Sequence, residues 1–81
     1  MMKYEREYSF EIVIVQSVSL TATKVKLGDG TTFYEVTKDG IIYGKLFPTV
    51  ENPPYIIWKT KDDIHPIFVS QIGLAIEKYY Q

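Results

Sequence analysis

The sequence predicts an α+β domain, an antiparallel β-meander of four to five strands with one C-terminal α-helix packed on one face. Three observations carry this reading. Between Tyr8 and Phe47, β-branched and aromatic residues recur at alternate positions and are cut by two glycine-bearing turns, Gly28-Asp29-Gly30 and Lys38-Asp39-Gly40. From Pro66 onward the apolar residues recur at three- and four-residue spacing instead. The chain is 81 residues long, which allows a single core and hence one domain.

The first strand is expected over 8–15, where Phe10, Ile12 and Ile14 form one apolar face. Gln16-Ser17 is a weak break, and 18–27 resumes as a strand with Val25 and Leu27 on one side and Lys24 and Lys26 on the other. The Gly-Asp-Gly turn accepts positive φ and returns the chain as a strand over 31–37. Lys38-Asp39-Gly40, read as a type I turn closed by Gly, launches a strand over 41–47, inside which Gly44 marks a bulge or a close backbone approach. Pro48 to Pro54 reads as a surface or edge loop, because proline has no ladder donor. A short strand follows over 55–59.

The helix is expected over 66–80, with Pro66 in its first turn and Asp62 or Asp63 complementing its positive end. Successive steps of about 100° place Phe68, Val69, Ile72, Ala75, Ile76, Tyr79 and Tyr80 on the sheet-facing side, opposite Ser70, Gln71, Glu77 and Lys78. Ile67 and Leu74 fall on the polar side. Phe10, Ile12, Ile14, Val25, Leu27, Phe33 and Trp58 are the candidate core partners of this helix.

Composition narrows the function classes. Nine basic residues against ten acidic leave a net charge of −1, which argues against a general nucleic-acid binder and gives little repulsion between copies. The absence of cysteine removes thiol chemistry, disulfides and zinc thiolates. Glu5, Glu7 and Glu11 break the pattern a secretory signal needs, no run approaches the roughly 20 apolar residues of a membrane span, and a cytoplasmic location is expected.

Candidate chemistry is sparse. His65 beside Asp62 and Asp63 reads as a helix start with a capping or exposed imidazole rather than a metal or acid/base site. Glu35, Asp39 and Glu51 sit at turn or surface positions, with nothing to pair them for hydrolysis. There is no Gly-x-Ser-x-Gly, and Gly28-x-Gly30 lacks the remaining parts of a phosphate loop. Asn52-Pro53-Pro54-Tyr55 resembles, letter for letter, the NPPY motif of amino-group DNA methyltransferases, which implies an Asn that accepts from a target amine and a Tyr that stacks on a flipped base. The chain has no doubly wound sheet or donor-binding glycine loop to accompany it, so the tetrapeptide reads as a stiff loop opening a strand. No enzyme activity, cofactor or metal is expected.

Two binding surfaces remain. The leading expectation is a small non-catalytic protein–protein interaction module that self-associates: Ile67 and Leu74 are two turns apart on the polar helix side, and the strand around Tyr55 to Trp58 is an unblunted edge. The alternative is a nucleic-acid-binding regulatory domain using a sheet face that carries Lys24, Lys26, Tyr34, Tyr43, Lys45 and Lys59.

Overall fold

A computed structural model describes residues 3–81, with the side chain of Glu51 outside the description. The carboxylate of Glu51, weighed above, therefore lies outside the described residues. Five strands, β1 (Tyr4–Ile14), β2 (Val18–Leu27), β3 (Thr32–Lys38), β4 (Ile41–Asn52) and β5 (Tyr55–Lys59), precede one helix, α1 (Pro66–Tyr79). The strands form a single antiparallel sheet in the order β1-β2-β3-β4-β5, so β1 and β5 are its edges. The expected α+β fold, a meander with one C-terminal helix on one face, is what the chain adopts.

Turn chemistry fixes the registers. Between β2 and β3, Gly30 (φ 93°) donates to the Leu27 carbonyl at 3.0 Å, and Asp29 Oδ1 accepts from the Thr31 N–H at 2.8 Å. That backbone hydrogen bond holds the Asp29 carboxyl below its ordinary range. Between β3 and β4 the Lys38↔Ile41 pair leaves only Asp39 (φ 52°) and Gly40 (φ 80°) in the loop. Two positive φ values define a type I′ turn, not the type I turn expected, because the mirror-image twist matches that of the flanking strands. Gln16 and Ser17, also at positive φ, close the β1–β2 hairpin.

Two strands run longer than the alternation suggests. β1 begins at Tyr4 rather than Tyr8, because a bulge between Arg6 and Tyr8 flips the parity and turns Tyr4 and Arg6 to the face carrying Leu27 and Val25. β4 continues through Pro48 to Asn52, which corrects the expected loop over 48–54. Pro48 lies just beyond the last β3 pair, Tyr34↔Leu46, and pairs with Trp58 of β5 instead. A proline fits there because one flank of β4 is already unpaired. Asn52-Pro53-Pro54-Tyr55 is the β4–β5 hairpin, closed by the Asn52↔Tyr55 pair.

The helix runs lengthwise over the sheet, antiparallel to β1: Gln71 shares a cleft with Val13, Ile14 and Val15, and Tyr79 stacks on Phe10 with ring centroids 3.8 Å apart. Val69, Ile72 and Ile76 bury against Phe10, Ile12, Leu20, Ala22, Tyr34, Val36 and Leu46, with Ile14 and Trp58 packed alongside. Phe68, assigned above to the buried side, is exposed. Val25 and Phe33 are buried at 1% and 6% exposure, but on the opposite face from the helix, where Leu27 is only partly covered. All three therefore leave the list of helix partners. Their cover is local: Phe47 lies 5.2 Å from the Phe33 ring, and the Lys45 ammonium sits 5.5 Å from that ring's centroid.

Two glycines record close approaches. A Cβ on Gly44 would lie 2.7 Å from Ile64 Cδ1, and beside it the Lys45 N–H donates to Asp62 Oδ2 at 2.8 Å. Asp62 thus pins the loop before α1 onto β4 and does not serve the helix end. That role falls to His65, whose Nδ1 accepts from the Ile67 N–H at 3.2 Å, with Pro66 in the first turn. The other is Gly73, mid-helix and buried, where a Cβ would crowd Cδ1, Cγ and Nε1 of the Trp58 indole inside contact distance.

Candidate functional site

The helix is flanked by open clefts on both sides. Towards β1, Val13, Ile14 and Val15 face Gln71, Leu74, Ala75 and Lys78. Towards β5, Ile56, Ile57 and Trp58 face Ser70, Leu74 and Glu77. Leu74 is common to both and stands on the crest between them, exposed at 65%. Val13 and Ile57 border the clefts from the two edge strands, but the registers Val13↔Ser19 and Thr49↔Ile57 turn their side chains to the sheet face opposite the helix. Ile67, two turns earlier, is exposed at 60%. The structure thus puts both candidate self-association residues in solvent on the outer side of α1.

Beneath Leu74, Gln71 Oε1 is buried and has no hydrogen-bond partner. Lys78, one heptad further on, lines the same cleft. An orphaned acceptor costs about 1–3 kcal/mol unless a donor reaches it.

A third cleft, of about 490 Å³, opens between the C-terminal end of α1 and the β4–β5 hairpin. Tyr34, Trp58 and Tyr80 form its aromatic walls, with Ile76 and Pro48 among its apolar lining and Glu77 at its rim. Trp58 Nε1 donates to Glu77 Oε2 at 2.8 Å. The Tyr80 hydroxyl bridges Tyr8 (2.7 Å) and Tyr34 (3.0 Å). Tyr80 as a whole is half exposed, yet its hydroxyl end is enclosed by the other two phenols. That local burial, followed by the two hydrogen bonds, pushes its pKa up. No sequence motif marks this cleft, because its parts come from β3, β4, β5 and α1.

The six residues of the expected nucleic-acid surface do not share a face. Lys24, Lys26 and Tyr34 lie on the helix side of β2 and β3, as the register Lys24↔Tyr34 beside Ala22↔Val36 requires. Tyr34 is 7% exposed and belongs to the core, which corrects its placement as a stacking residue. Lys24 is held by Glu7 at 3.4 Å. Lys45 and Lys59 lie on the opposite face, and Tyr43 is exposed where β4 bulges against β3. The carboxylates stay apart as well: Glu35 pairs with Arg6 at 3.3 Å, whereas Asp39 sits in the β3–β4 turn. Among the described residues no three His, Asp or Glu side chains gather as a metal site would require, and no helix is long and apolar enough to cross a membrane.

Comparison with known proteins found no matching family model, no matching curated protein and no matching solved structure. The class the fold defines is that of a small α+β domain with one helix laid on a five-stranded antiparallel meander.

Proposed function

We propose that the chain is a non-catalytic protein–protein interaction module that pairs with a second copy of itself through the outer face of α1. The observation that carries this reading is Leu74, 65% exposed on the outer side of α1 between two open clefts, with Ile67 exposed two turns earlier. An apolar ridge on one helix suits an isologous two-fold contact, in which the same patch meets itself. Net charge of −1 opposes such pairing only weakly.

Sedimentation equilibrium from low to high micromolar protein tests the reading. The expected result is a dimer that dissociates on dilution and is abolished by Leu74→Lys with Ile67→Lys. A monomer mass across the whole range overturns self-association, and a dimer untouched by the double substitution moves the contact to a strand edge. The alternative of a nucleic-acid-binding domain has a weaker basis, because its exposed cations are divided between two faces. It requires an oligonucleotide affinity that falls steeply as salt rises.

A further inference from the structure

We propose that the cleft bounded by Tyr34, Trp58 and Tyr80 binds a small organic cation of the alkylammonium class, with Glu77 as its counter-charge. The reading is independent of self-association.

The cleft's volume, about 490 Å³, falls in the range of small-molecule sites. Its walls are rings set at steep angles to one another: Tyr34 meets Trp58 at 5.7 Å and 61°, and Tyr80 at 6.3 Å and 64°. Rings inclined in this way turn their faces and edges towards a shared space, and an electron-rich ring face attracts a cation, tryptophan most strongly. Glu77 is the one ionised side chain lining the cleft, and Lys and Arg are absent from the lining. The cleft therefore combines aromatic walls with a single uncompensated negative charge.

Glu77 is also held in place. Trp58 Nε1–H engages Oε2 and leaves Oε1 without a hydrogen bond among the described residues. The indole thus orients the carboxylate and presents its own ring beside it. Tyr80 holds its proton firmly, because local burial and then the hydrogen bonds to Tyr34 and Tyr8 push its pKa upward. A metal ion does not suit the site, since one carboxylate among rings supplies too few oxygen ligands. A quaternary alkylammonium, with no N–H to hydrate, has the weak hydration and apolar surface that these walls accept. The apolar lining of Ile76, Pro48, Val50 and Ile56 leaves room for an uncharged substituent on the same ligand.

Trp58 is the only tryptophan and forms a wall of this cleft, so its fluorescence responds to a ligand seated there. The intact chain, at low micromolar concentration, is titrated with choline, with benzyltrimethylammonium and with dimethylbutanol, the neutral carbon analogue of choline. The expected result is a saturable change with both cations and an affinity at least about tenfold weaker for the neutral analogue. Glu77→Gln, checked for an unchanged far-ultraviolet dichroism spectrum, is expected to weaken the cations by about tenfold and leave the neutral compound unaffected. Equal affinity for choline and its neutral analogue overturns the proposal, because the cleft then selects apolar bulk and not charge. Absence of a saturable response to either cation also overturns it. Both comparisons use the unaltered chain, so the outcome does not depend on the variant folding.

Discussion

Replacing Gly73 with Ala sets helix propensity against packing. In an exposed helix interior this change stabilises by about 1 kcal/mol, since glycine loses more backbone entropy than alanine and alanine is the best helix former. Gly73 is buried in the middle of α1, and the nearest atoms to an added Cβ would be Cδ1, Cγ and Nε1 of Trp58, all inside contact distance. The indole is a rigid plate, so it must move as a whole. Displacing it strains the core by about 1–3 kcal/mol, the usual cost of overpacking. It also endangers the 2.8 Å hydrogen bond to Glu77, where a bond to a charged acceptor contributes about 1.5–3 kcal/mol when well enclosed and less at this partly exposed rim. Set against the propensity gain, the expected net loss is about 2 kcal/mol. Urea unfolding followed by far-ultraviolet dichroism gives the magnitude, and the emission maximum of Trp58 separately reports whether the ring has moved towards water. A raised unfolding midpoint with an unshifted emission maximum would refute the reasoning, for it would mean that propensity governs the site and the ring is not seated on the glycine.

Two further outcomes follow from the geometry. Gly30→Val should lower the thermal midpoint by several degrees in calorimetry, because Gly30 holds φ 93° and a β-branched side chain is strongly disfavoured there even though nothing crowds the position. An unchanged midpoint would contradict that backbone conformation. The Tyr80 phenol has a higher pKa folded than unfolded, so the folded state holds its proton more firmly. The stability this supplies is complete below about pH 10, the unfolded value, and is lost as pH rises beyond it. Stability measured by urea unfolding between neutral and strongly alkaline pH should therefore fall more steeply for the native chain than for Tyr80→Phe. Parallel curves would show that Tyr80 is not the group responsible.

The meander and the helix were legible because their signals are local. Gly28-Asp29-Gly30 and Asp39-Gly40 supply the positive φ their hairpins need, and the apolar spacing after Pro66 fits only a helix. What stayed hidden depends on parity and on contacts distant in sequence. In β3, Phe33 and Tyr34 are both apolar neighbours on opposite faces, and β3 alone cannot say which faces the helix. The answer lies in β1 and β2, where Phe10 pairs with Ala22 and Ile12 with Leu20, and Ala22 in turn pairs with Val36. Leu20, Ala22, Val36 and Leu46 were missed as core for this reason. The bulge at Glu7 similarly ends the usable alternation of β1, and Pro48 disguises a strand whose β3 side has already run out. Of the candidate site, Ile67 and Leu74 were readable as a conflict with the helix's single buried face. The aromatic cleft was not, since Tyr34 and Tyr80 are 46 residues apart.

Trp58 and Glu77 line both the cleft beside Leu74 and the aromatic cleft on the far side of the indole. The ring can serve two clefts because Gly73 lets it lie directly against the helix backbone. One edge then reaches Glu77, one turn further along α1, while the ring meets Tyr34 across the core. Any larger residue at position 73 lifts the indole outward, which fills the groove next to Leu74 and opens the angle against Tyr34. The glycine that weakens α1 as a helix is therefore the residue on which the shape of both surfaces depends. Dimer strength and cation affinity should fall together in Gly73→Ala, although Leu74→Lys should affect only the first and Glu77→Gln chiefly the second.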